Sequence, residues 1–356
     1  MKNKLEKSLN NAIKVKIFPG CIVGVVRRNG ERILALSGNF TYEKDSVPIR
    51  EDSIFDVASI TKSIPTSCLA LELIDEGKLN LKDKLTDYVP EFNNPDREAV
   101  LVKHLLTHTL DFKSKGGHFR LSTLKDKSPN EILRIIFNAD FNSKPGTKFV
   151  YVNATSILLG LVVERATGKR LDEFAQKIFF KPLKMVRTTY HPRRLNKNDI
   201  VPTEFDEWRG RLIQGEVHDE SAYTLMKKQI VGSAGLFSTA DDLLNFLEML
   251  LNKGTLFGKR FFSQEMVKEM HTNQIQDIGG SAGLGWELNQ KRYMGKSSTA
   301  DTFGKTGFTG CIVVCDIPKD VGVVMLSNYT FPKRKSGPSL INKVRSEIMD
   351  LVFENI

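Results

Sequence analysis

The sequence predicts an α+β fold (a mixed α/β class) in which one antiparallel sheet is made from both chain ends, carries packed terminal helices, and has a mostly helical lobe inserted. Three observations lead there. β-rich segments occur at 21–37 and return only after residue 285, helical periodicity dominates the residues between, and amphipathic helical patterns stand at both termini. The expected organisation is one domain over 1–356, with an α/β lobe from 1–58 and 285–356 and a helical lobe from 59–284. A chain of 356 residues can bury a core large enough for this.

Leu5, Leu9, Ile13 and Ile17 recur at helical spacing, so a helix opens the chain. Residues 21–28 and 31–37 read as strands, and Asn29-Gly30 between them is the dipeptide that a two-residue type I′ hairpin prefers. Helical patterns bounded by glycine and proline follow at 68–76, 99–107, 129–138, 155–167, 171–179 and 240–252. Pro65 lacks the N–H that would bond to Thr61, which predicts a kink ahead of the first of these. Strand patterns return at 285–294, 310–317 and 321–328, and an amphipathic helix closes the chain over 338–354.

Composition excludes several classes. Lys plus Arg exceed Asp plus Glu by 52 to 42, for a net charge of +10, but the charges are scattered and only Lys333-Arg334-Lys335 forms a basic run. With no aromatic platform or basic helix beside it, this reads as a solvated face and not as a nucleic-acid surface. The excess charge would favour the approach of an anionic small substrate. No apolar run is long enough to span a bilayer, and the charged N-terminus lacks the apolar core of a signal peptide. The expectation is a cytoplasmic protein, given Met1 as the natural start. Cys21, Cys68, Cys311 and Cys315 sit in apolar runs and read as small buried hydrophobes of a reducing compartment.

The chemistry begins at Ser59 and Lys62. A serine three residues before a lysine at a helix N-terminus puts hydroxyl and amine on one face, about a turn apart. Serine is a poor nucleophile unless a neighbour takes its proton, and an amine does so when burial or a second cation lowers its pKa. The pair alone is weak, since S-x-x-K arises by chance in a lysine-rich chain. Two further motifs change that: Tyr151-Val152-Asn153, following the turn at 144–147, and Lys305-Thr306-Gly307, placed just before a strand.

In this order, S-x-x-K, Y-x-N and K-T-G, the chain resembles the serine β-lactamase and penicillin-binding-protein superfamily. The likeness is to its class C β-lactamase-like branch, which also contains esterases, D-aminopeptidases and DD-peptidases. It extends over nearly the whole chain, through landmarks at 55–62, 104–109, 145–147, 157–168, 215–220, 232–239 and 304–310. The resemblance implies that Ser59 attacks a carbonyl, Lys62 assists its deprotonation, and Tyr151 carries the proton to the leaving group and activates the deacylating water. It implies that Asn153 orients Lys62 or the substrate amide, that Lys305 and Thr306 meet the substrate, and that the oxyanion hole is formed by the Ser59 and Phe308 backbone N–H groups. Gly307 suits a close backbone approach there, and a tyrosine between two ammonium groups is pushed toward phenolate. The expected activity is serine acyl-hydrolysis of a small ester or amide, without metal or cofactor. β-Lactams, D-amino-acid peptides and carboxylesters are candidate substrates, anionic ones among them because lysine heads the third motif. An acyltransferase or a noncatalytic, filament-forming relative is the alternative.

Two other motifs are set aside. Gly304-Lys305-Thr306 matches the end of a phosphate-binding loop, but Thr299 stands where that loop needs glycine, and a strand follows instead of a helix. His104 and His108 are four apart, as in a helical zinc site, yet Leu105 replaces the glutamate of H-E-x-x-H. Both histidines are read as structural. Leu110-Asp111 departs from the serine-glycine common after the His-Thr landmark, and 113–120 is read as an altered loop at the site's edge.

Overall fold

Alternation along four strands fixes the architecture. A computed structural model describes residues 1–113 and 127–356. Strands β1 (Gly20–Val26) and β2 (Arg32–Gly38) form the N-terminal hairpin. The middle of the chain contributes only two-residue strands, pairing β3 (Phe55–Asp56) with β6 (Phe237–Ser238), β4 (Phe205–Asp206) with β5 (Arg211–Leu212), and β7 (Thr255–Leu256) with β8 (Lys259–Arg260). Near the C-terminus, β9 (Glu287–Leu288), β10 (Thr302–Thr306), β11 (Ile312–Asp316) and β12 (Val321–Ser327) return to the main sheet. Its order is β2-β1-β12-β11-β10-β9, antiparallel throughout, so the two chain ends meet at the β1–β12 ladder.

Period-two side-chain alternation sorts this sheet into two cores. Cys21, Val23 and Val25 of β1, with Val323 and Met325 of β12, pack against Leu5 and Leu9 of the first helix (Lys2–Lys14) and Ile348 and Val352 of the last (Ser339–Phe353). Ile22, Val26, Val313, Cys315, Val324 and Leu326 face the opposite way, into the larger core shared with the helical part. Gly24 leaves space there for Leu244 of the helix Ala240–Leu251, whose Cδ1 would lie 2.8 Å from a Cβ at that position. No helix among the described residues is long and apolar enough to cross a membrane.

Several local expectations need correcting. The β1–β2 turn is not type I′: Gly30 has φ +84°, Asn29 is not in the left-handed region, and Gly30 N–H donates to Arg27 O. It is the longer turn that ends in a left-handed glycine, with the Asn29 side chain accepting from Glu31 N–H. The segment 285–294 yields only the short β9 and then a helical turn, Lys291–Met294. Lys305 and Thr306 lie within a strand of their own, β10, as well as ahead of β11; the ladder with the buried β11 carries Gly304 and Lys305, residues of low β propensity, into that strand. His108 has φ +53° and stands beyond the helix Val102–Leu106, so the two histidines do not share a helical face. The Pro65 kink is present. Ile64 leaves helical geometry, at φ −112° and ψ 110°, as a residue before proline tends to do. Residues 114–120 of the altered edge loop lie outside the described residues.

Candidate active site

Ser59 occupies a turn between β3 and the short helical turn that carries Lys62. Ala58 just before it has φ +47°, a costly conformation for alanine. Asp56 holds it there. Its Oδ1 accepts the Ala58 N–H at 2.8 Å, its Oδ2 accepts the His218 N–H at 2.7 Å, and its carbonyl accepts the Thr309 hydroxyl at 2.7 Å. The buried Asp56 carboxylate thus ties the nucleophile turn to the 215–220 segment, and its backbone carbonyl adds the turn after β10.

Lys62 is 2% exposed and has no ion-pair partner among the described residues. Its Nζ donates to Ser59 Oγ at 2.9 Å and to Ser233 O at 2.6 Å. Tyr151 lies beside it, just before the helix Asn153–Thr167, with Lys62 Nζ 5.4 Å and Lys305 Nζ 4.0 Å from its ring centre. Burial alone would raise the Tyr151 pKa, but the two ammonium groups, with the Ser59 hydroxyl, bring it below the ordinary tyrosine value. His108 packs against the same ring at 5.0 Å and shares a hydrogen bond with the Thr155 hydroxyl. Burial, then the charges of Lys305 and Lys62, hold its pKa well below the usual range, so it adds no cation.

Asn153 does not reach Lys62, one of the two roles implied for it. Its side-chain amide donates to Asp219 Oδ2 at 3.1 Å and to Ser221 Oγ at 3.3 Å, and it makes no hydrogen bond to Lys62. Asp219 caps the helix Glu220–Leu225. Burial pushes its pKa up, yet Ser221, the Ala222 N–H, the Lys62 charge and Asn153 together bring it below the usual carboxylate range.

Lys305 is also only 2% exposed, and it forms an ion pair with Glu287 of β9. Burial would lower its pKa, but Glu287 and Tyr151 raise it above the ordinary lysine value. It is therefore a buried charge already paired with a carboxylate. Past β10 the chain turns sharply, with Gly307 N–H bonded to Cys311 O and Gly310 N–H to Gly307 O. Arg345 of the last helix clamps this turn, donating to the carbonyls of Gly307, Gly310 and Cys311. Phe308 projects outward, 53% exposed, and stacks on His218 at 5.5 Å. Among the described residues neither the Ser59 nor the Phe308 N–H has a hydrogen-bond partner, and both residues line a cavity of about 230 Å³ together with Tyr151, Thr306 and Gly307. Tyr329, Pro338 and Ile341 give it apolar walls. A larger cavity, about 830 Å³, lies elsewhere, beside Arg165, Arg194 and Tyr223, and holds none of these groups. Chemistry, not size, singles out the smaller one.

Sequence reading missed Asp56, Asp219, Glu287 and Arg345 as parts of this constellation. Asp56 and Asp219 lie inside landmark segments, which is a usable signal. Glu287 and Arg345 have none, because their partners are 18 and 34–38 residues away. No group of three or more His, Cys, Asp or Glu side chains suited to a metal ion occurs among the described residues.

The Beta-lactamase family model matches residues 14–345. An N-acetylmuramyl-L-alanine amidase of Bacillus subtilis (strain 168) is 29% identical over 350 residues, covering 87% of this chain and 77% of the relative. A putative D-alanyl-D-alanine carboxypeptidase of Escherichia coli (strain K12) is 29% identical over 302 residues, covering 78% and 69%. Among solved structures, EstCE1, described as a hydrolase with promiscuous acyltransferase activity, superposes with a TM-score of 0.76 at 19% identity, covering 99% of this chain and 98% of the other.

Proposed function

Because the chain belongs to the Beta-lactamase family, we propose that it is a serine acyl-hydrolase that acts on a small ester or amide through a covalent acyl-enzyme. The observation that carries this reading is the 2.9 Å contact between Lys62 Nζ and Ser59 Oγ, made beneath a tyrosine that two ammonium groups bring toward phenolate. In the proposed cycle Ser59 Oγ attacks the carbonyl carbon, and its proton passes to the Lys62–Tyr151 pair. The oxyanion is received by the unpartnered N–H groups of Ser59 and Phe308, in the arrangement that contributes most in acyl transfer. Tyr151 then protonates the leaving alkoxide or amine. Water, deprotonated by the same group, attacks the ester carbonyl and frees Ser59.

The division into an α/β lobe (1–58 with 285–356) and a helical lobe (59–284) is part of this proposal, with the site lying between the two. The names of the relatives make muramyl amides and D-alanyl peptides the first amides to test. Intact-mass measurement after exposure to a β-lactam, a p-nitrophenyl ester and a D-Ala-D-Ala peptide, with turnover followed in parallel, tests the reading. A mass increase on Ser59 that decays with product release supports it. The absence of any adduct, together with no labelling by a fluorophosphonate, would point to a noncatalytic relative. Product that appears only when an alcohol or amine acceptor is added would point to an acyltransferase.

A further inference from the structure

Glu287 stands out as a buried charge that the acyl-transfer cycle does not use. It sits on the edge strand β9, opposite Gly304 of β10, and this edge is clamped to the nucleophile helix. Ser63 Oγ donates to Gly285 O at 2.6 Å, Gly285 N–H donates to Leu106 O at 3.0 Å, and a Cβ on Gly285 would fall 2.3 Å from Ser67 Cβ. The strand cannot drift relative to Lys62. One Glu287 oxygen pairs with Lys305 Nζ and the other accepts the Tyr293 hydroxyl, so both are occupied.

We propose that Glu287 is a positioning residue: paired with Lys305 Nζ on a strand edge clamped to the nucleophile turn, its carboxylate fixes the Lys305 ammonium against the Tyr151 ring and opposes the positive charge that the ring faces. This rests on the reading of Tyr151 as the proton carrier. The charge count around the phenol supports it. Lys305 comes from β10, Lys62 from the nucleophile helix, Glu287 from β9 and neutral His108 from the segment before 109, while Arg292 and Tyr293 flank Glu287 and Asp219 faces Lys62. Glu287 opposes the two lysines, raising the Tyr151 pKa where they lower it. Burial pushes the Glu287 carboxyl itself up, but Lys305, Tyr293 and Arg292 keep it below the usual range and therefore ionised.

Two substitutions separate charge from position. Glu287→Gln keeps an oxygen for Lys305 Nζ and removes only the charge, which leaves the Lys305 ammonium without its carboxylate. Glu287→Ala removes the anchor as well. The readout is the titration of Tyr151 in the free full-length chain, followed by NMR with ring-labelled tyrosine and assigned against Tyr151→Phe, alongside the pH profile of kcat/KM on a p-nitrophenyl ester. The expected result is a Tyr151 midpoint, and an acid limb of the profile, displaced to lower pH in Glu287→Gln. In Glu287→Ala, kcat should fall about 10²-fold, the scale of a displaced catalytic group. A Glu287→Gln midpoint that stays in place or moves up overturns the inference. Since the titration needs no turnover, it is independent of the proposed activity: a displaced midpoint in a protein whose Tyr151→Phe variant still turns over would remove the proton-carrier role and keep the electrostatic one.

Discussion

Gly307 approaches Val57 so closely that a Cβ on the glycine would lie 2.4 Å from the Val57 carbonyl oxygen. The segments that lead to the Phe308 and Ser59 amides therefore touch backbone to backbone, which is what brings two unpartnered N–H groups to one cavity. Gly307→Ala should push them apart. The expected loss is about 10²–10³ in kcat, the usual effect of removing one oxyanion donor, with the fold retained by circular dichroism. Turnover at the wild-type level would mean that the two amides do not act together.

Ser59→Ala should abolish both labelling by a fluorophosphonate and hydrolysis, because no other described hydroxyl is bonded to Lys62 Nζ. An unchanged melting temperature would show that the loss is chemical. Labelling that persists in the purified variant would locate the nucleophile elsewhere.

Tyr151→Phe should slow turnover by about 10²–10⁴, the span of general acid–base catalysis. With its pKa held below the ordinary 10.0 by Lys305 and Lys62 against the opposing effect of burial, the wild-type kcat/KM should rise with pH through a limb lying below that value. The limb should vanish in the phenylalanine variant. A variant with the same rate and profile would make Tyr151 a packing residue.

Lys305→Ala decides between two roles for the third-motif lysine. Buried and paired with Glu287, it should matter equally for an ester that carries a carboxylate and a matched one that does not. A selective loss on the anionic ester would restore direct carboxylate recognition.

Asp56→Ala should destabilise the protein, since it leaves the buried Ala58 and His218 N–H groups without acceptors at about 1–3 kcal/mol each. Asp56→Asn retains one acceptor and should lose less. Denaturant melts of the two variants rank them, and equal stability to wild type would remove the Asp56 carboxylate as the link between the nucleophile turn and the 215–220 segment.

Much of the fold could be read in advance because it is written locally. The helical spacing of Leu5 and Leu9, the alternation through β1, β11 and β12, and the glycine and proline breaks each report on a few neighbouring residues, and the structure has those elements. Local reading failed where distant packing decides. The β10 strand Thr-Phe-Gly-Lys-Thr is short and interrupted by Gly304-Lys305, two residues of low β propensity, and its neighbours β9 and β11 complete it, while the hairpin turn took the longer of two forms compatible with Asn-Gly.

The sequence by itself determined the family, the order of the three motifs and the placement of Ser59 and Lys62 about a turn apart. Only the tertiary structure decided what the other charges do. It buried Lys305 against Glu287, turned Asn153 to Asp219, and set Arg345 on the carbonyls of the 307–311 turn. The physical reason is range: backbone geometry couples residues a turn apart, whereas the fate of a buried charge depends on which partner from elsewhere in the chain is packed within a few ångströms of it.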